Sequence, residues 1–323
     1  MQVGLNTPKP LIEGRFSSIG EEIAADGGFQ VGVRFRARFC LPRLSLKNSL
    51  MLAYPKFDPV LISIGSLRIH WYGIMYLAAF LAAWWLGRRR AAQPNSNWSA
   101  AQVDDLLFYG MVGVILGGRI GYVLFYGFSY WRADWLYPFK IWEGGMSFHG
   151  GLLGVIASCA ILAARQHRHV GDVFDFAAPL VGPGIFFVRL GNFINGELWG
   201  KPTRVPWAVV YEGVPRHASQ IYEGVLEGLV LGTALWLFSS TKRPRLATSG
   251  VFLIGYGVIR STLEFVRVPD ANRGYLLADW LTEGQLLSAP MIAAGLILFI
   301  YAYRWNAGGS GPRVAPEDAS SSP

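Results

Sequence analysis

The sequence predicts an all-α integral membrane protein with about seven transmembrane helices. Of its 323 residues, 52% are hydrophobic and 15% are charged, whereas an average soluble domain is about 25% charged. Long stretches of the chain contain almost no charge. A disordered chain combines low hydrophobicity with high net charge, so this composition excludes disorder.

Seven apolar stretches are each long enough to cross the roughly 30 Å of hydrocarbon in a bilayer. They cover approximately residues 69–87, 106–126, 148–164, 173–193, 221–238, 250–266 and 286–303. Pro179 and Pro183 interrupt the fourth stretch. Because proline lacks a backbone N–H, we expect a kink or break in that helix.

Basic residues cluster after alternate stretches, which predicts an orientation. By the positive-inside rule these ends face the cytoplasm, so the N-terminus is predicted outside, the C-terminus inside, and the opposite loops form a periplasmic head. The formal net charge of +8 also fits nucleic-acid binding in a soluble protein, but here cytoplasmic loops explain it and no nucleic acid is expected. The clusters contain Arg88, Arg89, Arg90, Arg165, Arg168, Lys242, Arg243, Arg245, Arg304 and Arg313.

The predicted domain organisation has three parts. Residues 1–50 form a basic leader without an apolar signal-peptide core. Met51 opens a plausible start, so the leader is interpreted as an upstream extension of the reading frame or as a disordered segment. Residues 51–305 form the seven-span domain, and residues 306–323, rich in Gly, Ser and Pro, are predicted to be a disordered tail.

Ionisable side chains inside the predicted spans point to a polar central cavity. Placing one at the centre of a bilayer costs about 2.5 to 3.5 kcal/mol, so such residues usually serve function. Arg260, Glu264 and Arg267 are spaced to share one helical face. They form either a structural ion-pair group or, with two further arginines, a site for an anion such as phosphate. The other intramembrane ionisable residues are Arg119, Arg189, Glu223 and Glu227.

Two further motifs lie at the predicted outer edge. Residues 189–200 mix arginine, two asparagines, glutamate and three glycines, and form either a structural turn or a site where backbone and amides approach a ligand. His149 begins the third stretch and is suited either to a structural hydrogen bond or to proton transfer. No metal site and no cofactor are expected, because zinc-ligand spacings, P-loops and dinucleotide fingerprints do not occur in the sequence.

Four motifs, in this order, resemble those of the bacterial prolipoprotein diacylglyceryl transferases. The resemblance covers about residues 54 to 305 and includes His70-Trp-Tyr-Gly-Ile-Met-Tyr in the first stretch. The motifs are Gly145-Met-Ser-Phe-His-Gly-Gly-Leu, Arg189-Leu-Gly-Asn-Phe-Ile-Asn-Gly-Glu-Leu-Trp-Gly, His217-Ala-Ser-Gln-Ile-Tyr-Glu and Arg260-Ser-Thr-Leu-Glu-Phe-Val-Arg-Val-Pro-Asp.

The resemblance implies a multi-pass inner-membrane enzyme. It would move the diacylglyceryl group of phosphatidylglycerol to the lipobox cysteine in a prolipoprotein signal peptide, release glycerol phosphate and need no cofactor. Arg189 and Arg260 would be its essential arginines, and His149 would act as a base or position lipid. The implied substrate-binding residues are Arg189, Tyr72, Asn192, Glu197, Gly200 and Glu264. We add Arg119, because it lies inside a predicted span, and Arg267, because it is predicted to share a helical face with Arg260 and Glu264.

Two alternatives to a transferase follow from the same residues. Intramembrane charges and an interrupted fourth span also suit an anion or lipid transporter. A transporter would leave its substrate covalently unchanged and would be expected to show related halves, which the sequence does not display. A structural membrane scaffold is a weaker alternative, because it has no need for several buried arginines.

Overall fold

The computed structural model describes residues 51–65, 67–94, 96–268 and 281–305. The predicted leader, residues 1–50, and the predicted tail, residues 306–323, lie outside the described residues. Each of the seven apolar stretches of the sequence is mostly helical in the structure; residues 69–70 of the first belong to a strand, and residues 264–266 of the sixth form a turn.

Helices form most of the described chain. The first half contains α1 (Trp71–Ala91), α2 (Ala100–Phe125), the short α3 (Phe128–Ala133) and α4 (Phe148–Arg165). Helices α5 (Val170–Ala177) and α6 (Val181–Ile194) follow, and then α7 (Ser219–Glu223), a π-helical segment (Gly224–Val230) and α8 (Leu231–Phe238). The last two helices are α9 (Ala247–Leu263) and α10 (Glu283–Trp305).

Five helical segments in the described part of the chain are long and apolar enough to cross a membrane. Helix α1 and the 17-residue α9 are not among them. The protein is therefore mostly helical with several candidate spans, as predicted, while the count of seven spans stays a prediction. The five segments are Ala100–Phe125, Phe148–Arg165, Val170–Ile194, Ser219–Phe238 and Glu283–Arg304.

Helix α2 begins six residues before the predicted apolar stretch. Ser99 and Gln102 form a reciprocal capping box, in which each side chain accepts a hydrogen bond from the other residue's backbone N–H, at 3.2 and 2.9 Å. Such a cap satisfies N–H groups that lack partners within the helix. Asp104, in the polar turn that follows, pairs with Arg88 of α1 at 2.5 Å. A search for apolar residues misses this turn because it is charged.

The fourth predicted stretch is interrupted as expected. A 3-10 turn, Ala178–Leu180, joins α5 to α6 and contains Pro179. Pro183 lies in the first turn of α6. Since proline cannot donate a backbone hydrogen bond, both prolines fall where the helical form changes.

Glycine rows allow α2 and α4 to touch backbone to backbone. A methyl group built on Gly117 would lie 2.3 Å from the carbonyl oxygen of Gly150, and one on Gly154 would lie 2.0 Å from that of Gly113. Small residues at a fixed spacing of four create this close approach in membrane helices. Helix packing thus explains why Gly113, Gly117 and Gly121 recur at every fourth position of the sequence.

Two small β-sheets accompany the helices, and the all-helical prediction did not include them. Strand β1 (Leu52–Ala53) pairs in parallel with β4 (Val209–Tyr211), which pairs antiparallel with β5 (Val214–Arg216). Strands β2 (Val60–Ile64) and β3 (Leu67–His70) form an antiparallel pair before α1. The strands have two to five residues, which is too short for a period-two pattern to stand out in the sequence.

The helix bundle has two chemically distinct ends. At the basic end, Arg88 binds Asp104, and Arg245 binds Asp172 of α5 at 2.7 Å. At the strand end, a small core contains Trp199, Val209 and Ala218, and Tyr54 and Tyr211 pack against it. The larger apolar core, which includes Val103, Leu162 and Val173, lies nearer the basic end.

Candidate functional site

Glu223, the last residue of α7, is the centre of a buried group of charges. Its side chain is fully buried. Its Oε2 atom lies 2.7 Å from Nε of Arg189 and 3.3 Å from Nη1 of Arg260, while Oε1 lies 2.5 Å from Nη1 of Arg267. Three guanidinium groups from different parts of the chain therefore meet on one carboxylate.

Glu264 links two of the same arginines. Its Oε1 atom lies 2.8 Å from Nη2 of Arg260 and 3.1 Å from Nε of Arg267. Arg260, Glu264 and Arg267 therefore lie together as predicted, but not on one helical face: α9 ends at Leu263, and Arg267 follows it in a β-bridge. We refer to these five residues together with the neighbouring Glu227 as the arginine–glutamate cluster: Arg189, Glu223, Glu227, Arg260, Glu264 and Arg267.

The arginines of the cluster are more exposed than its carboxylates, of which Glu264 is 5% exposed. The side chains of Arg189, Arg260 and Arg267 are 21%, 17% and 11% exposed, against 0% for Glu223. The carboxylates thus lie behind the guanidinium groups. A ligand that entered this site would meet positive charge first.

Asn192 and Glu197 extend the cluster along α6 and beyond its end. The Asn192 side chain is buried; it accepts a hydrogen bond from Nη1 of Arg189 at 3.3 Å and donates one to Oε2 of Glu197 at 3.1 Å. Glu197 is exposed. These three predicted site residues are therefore connected in one chain of hydrogen bonds, with Glu197 at its outer edge.

Gly200 connects the end of the same motif to Arg267. The two residues form an antiparallel β-bridge, and the N–H of Gly200 donates to the carbonyl oxygen of His217 at 2.9 Å. A methyl group on Gly200 would lie 2.6 Å from the carbonyl oxygen of Val266. Only glycine fits between these backbones.

An aromatic group holds the chain where α6 ends. The hydroxyl of Tyr54 donates to the carbonyl oxygens of Phe193 and Ile194, at 2.9 and 2.8 Å, and its ring contacts those of Trp199 and Tyr211. Burial, with a smaller contribution from Tyr211, raises the pKa of Tyr54 to about 12. Tyr54 therefore stays neutral and serves as a donor.

Tyr72 lies beside α6 at the start of α1. A methyl group on Gly191 would come within 3.0 Å of its ring, and the ring packs edge-on against Tyr76, with centroids 5.1 Å apart. Tyr76 in turn lies within electrostatic range of Arg189. The structure thus places Tyr72 next to the helix that carries Arg189 and Asn192.

His149 lies apart from the cluster in the structure. It occupies the first turn of α4, is exposed, and contacts the ring of Phe148 with centroids 5.6 Å apart. Among the described residues, no hydrogen bond or ion pair joins it to the arginines of the cluster.

Arg119 also lies apart from the cluster. Its buried guanidinium donates to backbone carbonyl oxygens, including those of Pro138 at 3.0 Å, Tyr137 at 2.6 Å, Lys140 at 2.9 Å and Gly144. All of these contacts fold the connector between α3 and α4. Arg119 was predicted to be a fourth anion-binding arginine, but none of these hydrogen bonds joins it to the other three arginines.

Four buried residues of the site had no assigned role in the sequence. Glu223 and Glu227 were visible there only as ionisable residues in a predicted span. Gln220 is fully buried and donates to the backbone carbonyl of Glu197, while Ser219 donates to that of Leu198 at 2.7 Å. The motif at residues 217–223 therefore supplies both the support of the loop and the central carboxylate.

The histidine of that motif is held away from charge. Nδ1 of His217 lies 3.3 Å from the hydroxyl of Tyr222. Burial lowers the pKa of His217 below its ordinary value of 6.5. His217 is therefore neutral at pH 7, and the positive charge of the site comes from its arginines.

Apolar helices long enough to cross a bilayer, with a buried group of arginines paired with carboxylates, are the features of a multi-pass membrane protein with a charged interior. The chain belongs to the prolipoprotein diacylglyceryl transferase family, whose sequence model matches residues 59–301. It is thus a transferase, as the resemblance predicted, and transport is no longer needed to explain the charges.

Relatives that carry the name of this enzyme are similar over nearly their whole length. Phosphatidylglycerol–prolipoprotein diacylglyceryl transferase of Nitratidesulfovibrio vulgaris (strain Miyazaki F) is 54% identical over 253 residues, which cover 77% of this chain and 96% of the relative. The enzyme of the same name from Oleidesulfovibrio alaskensis is 53% identical over 257 residues, or 79% and 96%. The enzyme of the same name from Coxiella burnetii (strain RSA 331) is 51% identical over 257 residues, which cover 79% of this chain and 98% of the relative.

Proposed function

We propose that the chain transfers the diacylglyceryl group of phosphatidylglycerol to the lipobox cysteine of prolipoproteins and that the arginine–glutamate cluster binds the phosphate of the lipid. Glycerol phosphate is the second product, and the reaction opens lipoprotein maturation. The names of the relatives support both substrates. The position of the thiol in a lipobox comes from the resemblance in sequence.

One observation carries the assignment of the phosphate site. Arg189, Arg260 and Arg267 converge on Glu223 at 2.7, 3.3 and 2.5 Å and remain partly exposed. A guanidinium group donates two parallel hydrogen bonds to phosphate oxygens and does not lose its proton. Glu223 and Glu264 hold the three groups in place before the lipid arrives, so little reorganisation is needed when it binds.

The reaction requires positive charge at this point. The sulfur of the cysteine forms a bond to the glycerol carbon of the diacylglyceryl group, and the bond from that carbon to the phosphate oxygen breaks with its electron pair on oxygen. Negative charge therefore grows on the departing glycerol phosphate. Arg189 and Arg260 are oriented to stabilise it, and preorganised charge of this kind usually supplies the largest part of catalysis.

The thiol proton must leave before or during attack, since the thiolate is the nucleophile. His149 is our candidate for this step, either as the base or as a group that positions lipid. Its exposed place at the start of α4 leaves it accessible to a second substrate. A base that took the proton from sulfur would pass it to water or to the departing phosphate, which balances the reaction.

The remaining site residues have supporting roles in this proposal. Asn192 and Glu197 orient Arg189, Glu264 orients Arg260, and Gly200 lets the loop approach Arg267. Tyr72 lines the lipid path beside α6. Arg119 was predicted to bind substrate, but its contacts favour an indirect role through the connector that it folds.

The sequence and the family also support a location. We infer that the domain at residues 51–305 lies in the bacterial inner membrane with seven spans, the basic end in the cytoplasm and the strand end outside. The cluster then lies in a polar central cavity that opens toward the outer leaflet, and the loops at the strand end form a periplasmic head. The bilayer supplies phosphatidylglycerol laterally.

A transfer assay tests the proposal. Membranes that contain the protein are incubated with phosphatidylglycerol labelled in its acyl chains and a lipobox peptide, and the mass and label of the peptide are measured. We expect the peptide cysteine to gain a diacylglyceryl group and glycerol phosphate to appear. Label that stays wholly in lipid, under conditions where a relative transfers it, would refute the function.

The role of the cluster needs a matched pair of variants. Arg189→Ala is expected to lower transfer at least 100-fold while the protein stays in the membrane. This loss corresponds to two steps of about 1.4 kcal/mol in activation free energy, each of which changes the rate tenfold. Arg204→Ala removes an exposed arginine near the strand end and should keep nearly full transfer. Equal activity of the two variants would contradict the assignment of the phosphate site.

A further inference from the structure

Glu227 is the one carboxylate of the cluster without a close partner. Its side chain is fully buried, and neither carboxyl oxygen has a hydrogen bond. The nearest cation is Nη1 of Arg260, at 3.9 Å from Oε1. Glu223 and Glu264, by contrast, have ion pairs of 2.5 to 3.3 Å.

The surroundings of Glu227 contain both signs of charge. It lies in the π-helical segment, one turn after Glu223, and that segment packs against α6 and α9. Tyr256 of α9 keeps its proton near neutral pH, since its ordinary pKa is near 10. The charged and titratable groups that act on Glu227 are Glu223, Arg260, Arg189, Arg267 and Tyr256.

The charges of the cluster cancel when every member is ionised. Its three arginines contribute three positive charges and its three glutamates three negative ones. A phosphodiester monoanion would therefore enter a site with no net charge. Arginine cannot give up its proton in a protein, so the charge balance can adjust only at a carboxylate.

We propose that Glu227 takes up a proton when the cluster binds the phosphodiester headgroup, so that lipid binding is coupled to protonation at this residue. Glu227 is the residue where a proton costs least, because it is buried and its charge has the weakest partners in the cluster. Protonation leaves the three arginines with two carboxylates and one phosphate. The inference rests on the proposed function, since it assumes that the lipid phosphate binds at this cluster.

The coupling has a defined consequence for affinity. A ligand whose binding requires a proton binds more weakly as the pH rises above the pKa of the group in the free protein, by about tenfold per pH unit. Glu227→Gln has the shape of the protonated acid and cannot ionise. It should therefore bind the lipid as tightly at high pH as the wild type does at low pH.

Calorimetry of the purified full-length protein in a neutral detergent tests this. Short-chain phosphatidylglycerol is titrated without peptide between pH 6 and pH 9, in two buffers of different ionisation enthalpy, so that protons taken up per lipid bound are measured. For the wild type we expect uptake to rise toward about one proton as the pH increases. Glu227→Gln should take up none, and Glu143→Gln, an exposed carboxylate at the strand end, should match the wild type.

The outcomes separate this inference from the function. If the wild type binds and transfers phosphatidylglycerol with no proton uptake and no pH dependence, the coupling is wrong and the function stands. If it neither binds nor transfers the lipid, the proposed function itself fails. Should Glu227→Gln not fold, Glu227→Met, which has a similar volume and no ionisable group, takes its place: proton uptake that persists at the wild-type value in Glu227→Met would also refute Glu227 as the acceptor.

Discussion

Oε1 of Glu223 lies 2.5 Å from Nη1 of Arg267, although 44 residues separate the two in the chain. Through its backbone, Arg267 also pairs with Gly200. This one arginine therefore ties the centre of the helix bundle to the loop that follows α6. Changes in the loop and changes in the bundle are expected to affect the same site.

Glu223→Gln tests the central carboxylate. Removing its charge leaves three arginines facing a neutral amide, and breaking a buried ion pair by removing one partner costs about 3 to 5 kcal/mol. We expect a lower thermal unfolding temperature and at least a 100-fold loss of transfer. Thermal unfolding in detergent and the peptide assay measure the two effects.

The matched control is Glu212→Gln, an exposed glutamate in the turn between β4 and β5. It should leave both the unfolding temperature and transfer unchanged. A Glu223→Gln protein as stable and as active as this control would show that the three arginines do not depend on Glu223.

Gly200→Ala tests the close approach of the loop to Arg267. The added methyl group would lie 2.6 Å from the carbonyl oxygen of Val266 and 2.8 Å from Cβ of His217. The backbone must move, at a cost of about 1 to 3 kcal/mol, and we expect a raised KM for lipid. Gly184→Ala in α6, where an added methyl meets nothing within 4 Å, should be silent; an equally silent Gly200→Ala would contradict the required contact.

Arg119→Ala separates a structural arginine from a substrate-binding one. Loss of its hydrogen bonds should release the connector, and amides at residues 137–145 should exchange at least about tenfold faster, which corresponds to about 1.4 kcal/mol of local stability. Hydrogen exchange with mass spectrometry measures this. Unchanged exchange together with weaker lipid binding would instead support a direct contact between Arg119 and substrate.

The stability of the strand end should depend on pH through His217. Its folded pKa lies below its unfolded value near 6.5, so the unfolded state binds more protons and stability falls as the pH drops below that value. Between pH 7.5 and pH 5 we expect a smaller decrease of the unfolding temperature in His217→Gln than in the wild type. His70→Gln, an exposed histidine, should behave like the wild type; identical slopes for all three proteins would exclude this contribution.

The sequence was sufficient to predict the helices and the proximity of Arg260, Glu264 and Arg267, although Arg267 lies beyond the end of α9. Apolar length and a spacing of three and four residues both act over a short stretch of chain, where geometry follows directly from position. The interruption of the fourth stretch was predictable for the same reason, since the effect of Pro179 is local. The short strands around Tyr54 were not, because their pairing depends on residues about 150 positions away.

The carboxylate partners of the arginines could not be predicted from the sequence for a related reason. Glu223 was visible as an ionisable residue in an apolar stretch, but its contact with Arg189 depends on how α6 and α7 pack. Arg119 shows the converse: its position in an apolar stretch resembled that of Arg189, while its hydrogen bonds go to backbone carbonyls that no residue type reveals. Intramembrane charge indicated a site, but not which charges belong to it.

The π-helical segment Gly224–Val230 makes the arginine–glutamate cluster sensitive to chain length. A π turn accommodates one residue more than an α turn does, and each residue of an α-helix turns the face by about 100°. Deleting a single residue from this segment would give a more regular helix while rotating Glu223 and the loop before it away from the arginines. Natural and engineered variants are therefore expected to tolerate substitutions here far better than single-residue deletions, even where the substituted side chains face lipid.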